Sequence, residues 1–272
     1  MTGDLLDTFV STNTHFHGFF GYSVAASGNV VLVGAPNEVA ADNLNASGNV
    51  YKFDAITGRL DARLISPNVQ MGGRFGWSVA MSGETAVIGA PDETFRSQGT
   101  AGRAYVFDAA TKKLITSLGS PNPQGDGFFG WSVGISGSVV IAGAPLESAN
   151  GSSFAGRAYT FDATTGALLG SLESGNVQSH AWFGWSVGIS GGVDIVGAPE
   201  ESVNGQSDAG NSYIFNTTSS QLIKTLTSPN SQSYGFFGWS VSANPGSVVT
   251  GAFGETVKGQ ADAGHAYVFK SH

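Results

Sequence analysis

The stretch Phe75-Gly76-Trp77-Ser78-Val79-Ala80-Met81-Ser82-Gly83 runs into Val87-Ile88-Gly89-Ala90-Pro91, then Arg103-Ala104-Tyr105-Val106-Phe107-Asp108, and finally Leu114-Ile115-Thr116-Ser117-Leu118. Side chains alternate between two faces along a strand, so Phe75, Trp77, Val79 and Met81 point one way while Gly76, Ser78 and Ala80 point the other. Ser82-Gly83 turns the chain into a second strand, which stops at Gly89-Ala90-Pro91 because proline lacks the N–H that a central ladder needs. A third strand covers Ala104–Asp108. A short turn near Lys112, a position held by Gly58 and Gly166 in other copies, starts a fourth strand through Leu114, Ile115 and Leu118. Four antiparallel strands joined in this order make one blade.

The unit then repeats. Phe-Gly stands at positions 20, 75, 129, 183 and 237, at intervals of 55, 54, 54 and 54 residues, with the same order of segments after each copy. A fixed period in this range marks a propeller, solenoid or array. One blade cannot bury both its faces alone, so five copies predict a single body over residues 1–272 rather than separate domains. The expected fold is all-β: a five-bladed β-propeller with four antiparallel strands per blade. Thr2-Gly3-Asp4-Leu5-Leu6 copies Thr165-Gly166-Ala167-Leu168-Leu169, which belongs to a fourth strand, and the chain ends on Ala266-Tyr267-Val268-Phe269, a third strand. The N-terminal strand is therefore expected to complete the last blade and close the ring, leaving no free edge.

Composition agrees and excludes several functions. With 41% hydrophobic residues, 40 glycines and only 12% charged residues, the chain has a large core and many turns, and no run approaches the ~20 apolar residues of a membrane helix. Membrane insertion is not expected. A net charge of −8 with no basic stripe argues against nucleic acid as a partner. Zero cysteines remove disulfides, zinc–thiolate sites and thiol catalysis, and leave the compartment open. Met1-Thr2-Gly3-Asp4 has neither a charged nor an apolar leader region. Either a cytoplasmic protein or a mature fragment fits, and the fragment is the expectation.

The repeated FG…GAP string with its following G-x-x-Y-x-F resembles the FG-GAP repeat of the β-propeller in integrin alpha chains, which occurs also in a fungal lectin and in bacterial surface proteins. The resemblance spans the whole chain. It implies the propeller fold and an extracellular or cell-surface recognition role, but the scaffold hosts many functions. Two departures stand out. The integrin propellers have seven blades, and several carry an aspartate-rich calcium loop between the first two strands. Here that connection is Ser27-Gly28, Ser82-Gly83, Ser136-Gly137, Ser190-Gly191 or Asn244-Pro245-Gly246, with no cluster of oxygen ligands. Asp194 alone keeps an acidic position before the GAP strand, so no metal or other cofactor is expected.

Antiparallel parity separates the faces of the ring. Connections between strands two and three (37–47, 92–101, 146–155, 200–209, 254–263) share one side with those between blades (11–19, 66–74, 120–128, 174–182, 228–236). Long loops on a rigid ring are where binding sites concentrate. Tyr22, Trp77, Trp131, Trp185 and Trp239 follow each Phe-Gly near the mouth of the central channel on that side. They could stack on sugars or enclose a cation, as the resemblance to the integrin aromatic cage implies, or they could simply wedge the blades.

A second five-fold set, Glu38, Glu93, Glu147, Glu201 and Glu255, sits at the roots of the long loops. Its carboxylates could accept sugar hydroxyls or cap loop amides. Phe19, Phe128, Trp182 and Phe236, with Arg74 in the remaining copy, precede the Phe-Gly and read as rim packing. His15, His17 and His180 follow no five-fold rule. A glycosidase needs two unlike carboxylates across one substrate, whereas these acids repeat symmetrically, as suits multivalent binding. The expectation is a non-enzymatic, lectin-like recognition module that takes a glycan through the long-loop face. The alternatives are docking of a partner protein, as in an adhesion or structural propeller, and a hydrolase with a site among the loop acids.

Overall fold

The computed structural model describes residues 5–14, 16–40 and 44–271. Five antiparallel sheets follow one another along the chain, one per repeat, and among the described residues there is no helix. The first blade is β1 (Ser23–Ser27), β2 (Val30–Ala35), β3 (Asn49–Asp54) and β4 (Leu60–Leu64). The second is β5 (Ser78–Ser82), β6 (Thr85–Ala90), β7 (Arg103–Asp108) and β8 (Lys113–Leu118), and the third is β9 (Val133–Ser136), β10 (Val139–Ala144), β11 (Arg157–Asp162) and β12 (Leu168–Leu172). The fourth comprises β13 (Ser186–Ser190), β14 (Val193–Ala198), β15 (Asn211–Asn216) and β16 (Leu222–Thr227), and the fifth β17 (Ser240–Asn244), β18 (Ser247–Ala252) and β19 (His265–Lys270). Neighbours in sequence are neighbours in each sheet. The third and fourth strands of blades one to four share a bulge one residue before the Phe of Y-x-F, after Lys52, Val106, Thr160 and Ile214.

Packing lies between blades rather than within them. Phe75 is fully buried and packs with Leu32, Val50 and Leu64 of the blade before it and with Tyr105 and Phe107 of its own. Phe129, Phe183 and Phe237 are equally buried and repeat the role. Each ring sits edge-on to the Phe of its own Y-x-F, with interplanar angles of 79° to 88°.

The two glycines of the motif form the joint. The Phe-Gly glycine sits at a φ of 85° to 98° in all five copies, a left-handed backbone that a side chain resists. Its N–H donates to the GAP glycine carbonyl of its own blade at 2.9–3.0 Å. Its carbonyl accepts from the strand-one serine of the preceding blade: Ser23 to Gly76, Ser78 to Gly130, Ser132 to Gly184 and Ser186 to Gly238, at 2.7–2.8 Å. A Cβ on the preceding blade's GAP glycine would lie only 1.9–2.2 Å from that same carbonyl, so Gly34, Gly89, Gly143 and Gly197 have no room for one.

Closure of the ring through the N-terminal strand rests on a segment that lies only partly among the described residues. Of the segment expected to supply it, Thr2, Gly3 and Asp4 lie outside them, while Leu5 and Leu6 carry no strand and are 82% and 92% exposed. The fifth sheet has three strands, and β19 pairs with β18. The segment is held from the other side. Phe9 stacks on Phe53 at 4.5 Å, and the Ser11 hydroxyl donates to the Tyr51 hydroxyl at 3.0 Å.

Candidate functional site

Each strand-one aromatic enters directly from the Phe-Gly turn, which places all five at one end of the first strands. Tyr22, Trp77, Trp131, Trp185 and Trp239 form one continuous series, with centroid separations of 4.6, 4.7, 4.8 and 4.7 Å and interplanar angles of 40° to 47°. The four tryptophans are half-buried and Tyr22 is exposed. Neither extreme of the expectation holds: the indoles pack on one another, yet each keeps exposed surface. They line a hollow of about 340 Å³ together with the serine and valine that follow each indole and with Ser23 and Val24 of the first blade.

A second aromatic layer covers the first. Trp182 stacks on Trp185 at 4.9 Å and 19°, while Phe128 and Phe236 meet Trp131 and Trp239 edge-on at 5.9 and 6.1 Å. Phe19 lies over Tyr22 at 6.3 Å, and the Arg74 guanidinium sits 5.2 Å above the Trp77 ring. These five rim residues share a φ of 53° to 58°, an unusual backbone for bulky side chains. Costs of about 1–3 kcal/mol per such residue persist where surrounding structure holds them, here where they face the aromatic series.

The glutamates lie elsewhere. Glu38, Glu93, Glu147, Glu201 and Glu255 are 0–1% exposed, so the expectation that they meet a ligand at the loop surface is corrected. Each accepts a hydrogen bond from the tyrosine hydroxyl of its own blade: Tyr51, Tyr105, Tyr159, Tyr213 or Tyr267. Serines at the end of the preceding fourth strand add a second donor, Ser66 to Glu93, Ser174 to Glu201 and Ser228 to Glu255. In blade three Ser120 turns to the Tyr159 hydroxyl instead, and Glu147 Oε1 has no partner.

Burial raises the carboxyls of Glu93 and Glu201 and takes Glu147 up to about 7. It also pushes Tyr51 up to about 12, helped by its bond to Glu38. The Glu backbone pins the loop root, because the N–H groups of Gly48, Gly102, Gly156, Gly210 and Gly264 donate to the five Glu carbonyls at 2.8–2.9 Å. The acids therefore tie a long loop to a blade junction. Tyrosines on the same period as the glutamates were the available signal for this pairing.

A second unexpected tie joins the loops themselves. Gln124 and Gln178 each bond the backbone of the next blade's long loop in both directions, at Ser148 and Ser202, and Gln70 accepts from the N–H of Thr94. Sequence reasoning passed over these glutamines, although they too recur every 54 residues. The long-loop face is thus an interlocked surface. His17 packs on Phe16 and His180 on Phe154, on separate loops, and His15 lies outside the described residues. Asp194 is fully buried on β14 and accepts from Thr217 at 2.7 Å. Among the described residues no three His, Asp or Glu side chains converge as metal ligands would.

A family model for the FG-GAP repeat matches residues 9–53, 59–107, 117–161, 170–215 and 221–269, one match per blade. The chain belongs to the FG-GAP repeat family. No curated protein matches it in sequence. The FG-GAP matches to blades two to five begin at or within the preceding fourth strand, well before the Phe-Gly joint, and all five end in a third strand, so the matched unit carries the joint, the GAP strand and the Tyr–Glu pair. The FG-GAP propeller is a module for protein or ligand interaction, and no helix among the described residues is long and apolar enough to cross a membrane.

Proposed function

We propose that the chain is a non-enzymatic, extracellular recognition module that binds carbohydrate across its aromatic mouth. The observation carrying this reading is the two-layered aromatic surface. A continuous series of five rings, each partly open, is overlaid by rim residues held in an unusual backbone and rests on interlocked loops. Aromatic faces and edges beside serine hydroxyls suit the alternating apolar and polar faces of a sugar, and their five-fold repetition suits a repeating glycan that gains from avidity. Catalysis has no comparable support, since the symmetric carboxylates are enclosed and occupied by tyrosine hydroxyls.

One observation favours a second reading, docking of a basic side chain from a partner protein: the Arg74 guanidinium already occupies the Trp77 face. Cation–π contacts of this kind contribute about 0.5–2 kcal/mol.

A glycan array run beside an Arg/Lys peptide library separates the two. Trp131→Ala is expected to cost about 1–2 kcal/mol of stability, less than the about 3–5 kcal/mol of a fully buried aromatic. It should weaken the array's best ligand by about 2 kcal/mol, roughly thirtyfold. Unchanged binding by a well-folded Trp131→Ala/Trp185→Ala variant removes the aromatics from the site. A blank array with captured basic peptides replaces sugar by protein.

A further inference from the structure

The mouth is a surface of ring edges and hydrogen-bond donors. Trp77, Trp131 and Trp185 each have another ring within 4.6–4.8 Å on both sides along the series, and the Arg74 guanidinium and Trp182 lie over Trp77 and Trp185 as well. Ring faces are therefore spent on neighbours, and what each half-buried indole leaves open is its edge. An aromatic ring is negative on its face and positive around its edge.

The polar groups of the mouth act in the same sense. None of the four indole N–H groups in the series donates to an acceptor among the described residues, and none is sealed from solvent. The serine after each first-strand aromatic offers no free proton in blades one to four, because Ser23, Ser78, Ser132 and Ser186 already donate across the joint. No carboxylate lines the hollow, whose walls are tryptophan, serine and valine. The Arg74 guanidinium over Trp77 is paired through Nε with Asp92 at 3.0 Å, which leaves its Nη groups as further donors.

Resting on the carbohydrate reading above for the sugar itself, we infer that the mouth selects acidic glycans, seating a carboxylate or sulfate group against the indole N–H edges beside Arg74. A donor bonded to an anion makes a shorter and stronger hydrogen bond than one bonded to a neutral hydroxyl. Four indole N–H groups without protein acceptors therefore favour the ionised ligand over its neutral counterpart. An incoming cation needs an open ring face, and those faces are already covered by neighbouring rings and by Arg74.

All five tryptophans of the chain stand at the mouth, so its intrinsic fluorescence reports on that surface alone. At constant ionic strength, with each quencher scaled to free N-acetyltryptophanamide, iodide should quench the native chain about twofold or more better than caesium, although a net charge of −8 by itself draws in the cation. Followed by the same fluorescence, tetrasaccharides of galacturonic acid and of chondroitin sulfate should bind about tenfold tighter than their methyl-esterified and desulfated forms. Trp131→Phe/Trp185→Phe keeps two aromatic rings and removes two N–H groups, and with its melting curve kept it should reduce that preference to about threefold or less. Neutral forms bound as tightly as the acidic ones leave the sugar reading standing and overturn the selection for charge, as does an undiminished preference in the well-folded double variant. Caesium quenching as well as iodide overturns it with no sugar present. Preference for iodide with no tetrasaccharide bound keeps the anion-selective mouth and removes the carbohydrate reading instead.

Discussion

Asp194 shows how a single residue can work against the fold it belongs to. Val31, Ala86, Val140 and Val248 occupy the same place in the other blades, and Asp194 is the one carboxylate there, fully buried with its Oδ2 unpaired. Burial raises its pKa to about 6 and that of Glu147 to about 7. A carboxyl with a raised folded pKa binds its proton more tightly in the native state, so its favourable contribution is complete below the unfolded value of about 4 to 4.5 and is lost as pH rises through the folded value. Stability should accordingly fall between about pH 4 and pH 7 and then level off. Thermal melts across that range check the slope, and Glu147→Gln should flatten its upper part. Asp194→Val should gain about 1–3 kcal/mol at pH 8 by removing a buried charge with only one hydrogen bond. A lower Tm for Asp194→Val at pH 8 would show that the Thr217 bond outweighs the desolvation cost.

At the level of the element, the FG-GAP motif is a joint rather than a strand signature. Its Phe fills the cleft between blades, its first glycine supplies a left-handed turn, and its second glycine lets two backbones approach. Gly89→Ala should therefore force blades two and three apart, with a loss of about 1–3 kcal/mol or more read by chemical denaturation. Gly251→Ala sits on the same motif, where an added methyl meets only Ser240 among the described residues, and should melt within about half a kcal/mol of the parent. Equal losses in the two variants would mean that the glycines serve their own strands and not the joint. The strand order and hairpin turns were legible from alternation and punctuation, as in Phe75–Met81 and Ser82-Gly83. The Glu93–Tyr105 bond was not, because period-two reasoning assigns a face to each residue but does not say that a loop root folds back over the third strand to reach it.

For the whole molecule, each blade depends on its neighbours for its core, through the four joints seen among the described residues. None of the short connections between first and second strands carries the spaced oxygens of a calcium loop, so the Tm should be the same in EDTA as in calcium. A drop of several degrees with chelator, reversed by calcium, would point instead to the acidic long loops, with Asp92 and Asp126 as the first pair to replace. The long-loop face is tied blade to blade by Gln70, Gln124 and Gln178. A ligand therefore meets a surface already arranged, which lowers the ordering entropy it must overcome.

The period, the number of blades, the strands in each repeat and the face that carries the long loops were all determined by the sequence alone, because each follows from local alternation, turn chemistry and a spacing that never drifts by more than one residue. Tertiary structure decided what each repeated residue touches. Glu147 and Trp131 recur with the same regularity, yet one is sealed beneath a tyrosine hydroxyl and the other stays half open at the mouth. Ser186 and Ser240 stand in matching sequence contexts, yet the first reaches across to Gly238 and the second meets no partner among the described residues. The physical reason is the same in both cases. A residue's own segment sets the direction of its side chain, while burial and bonding depend on whether another part of the chain arrives to meet it.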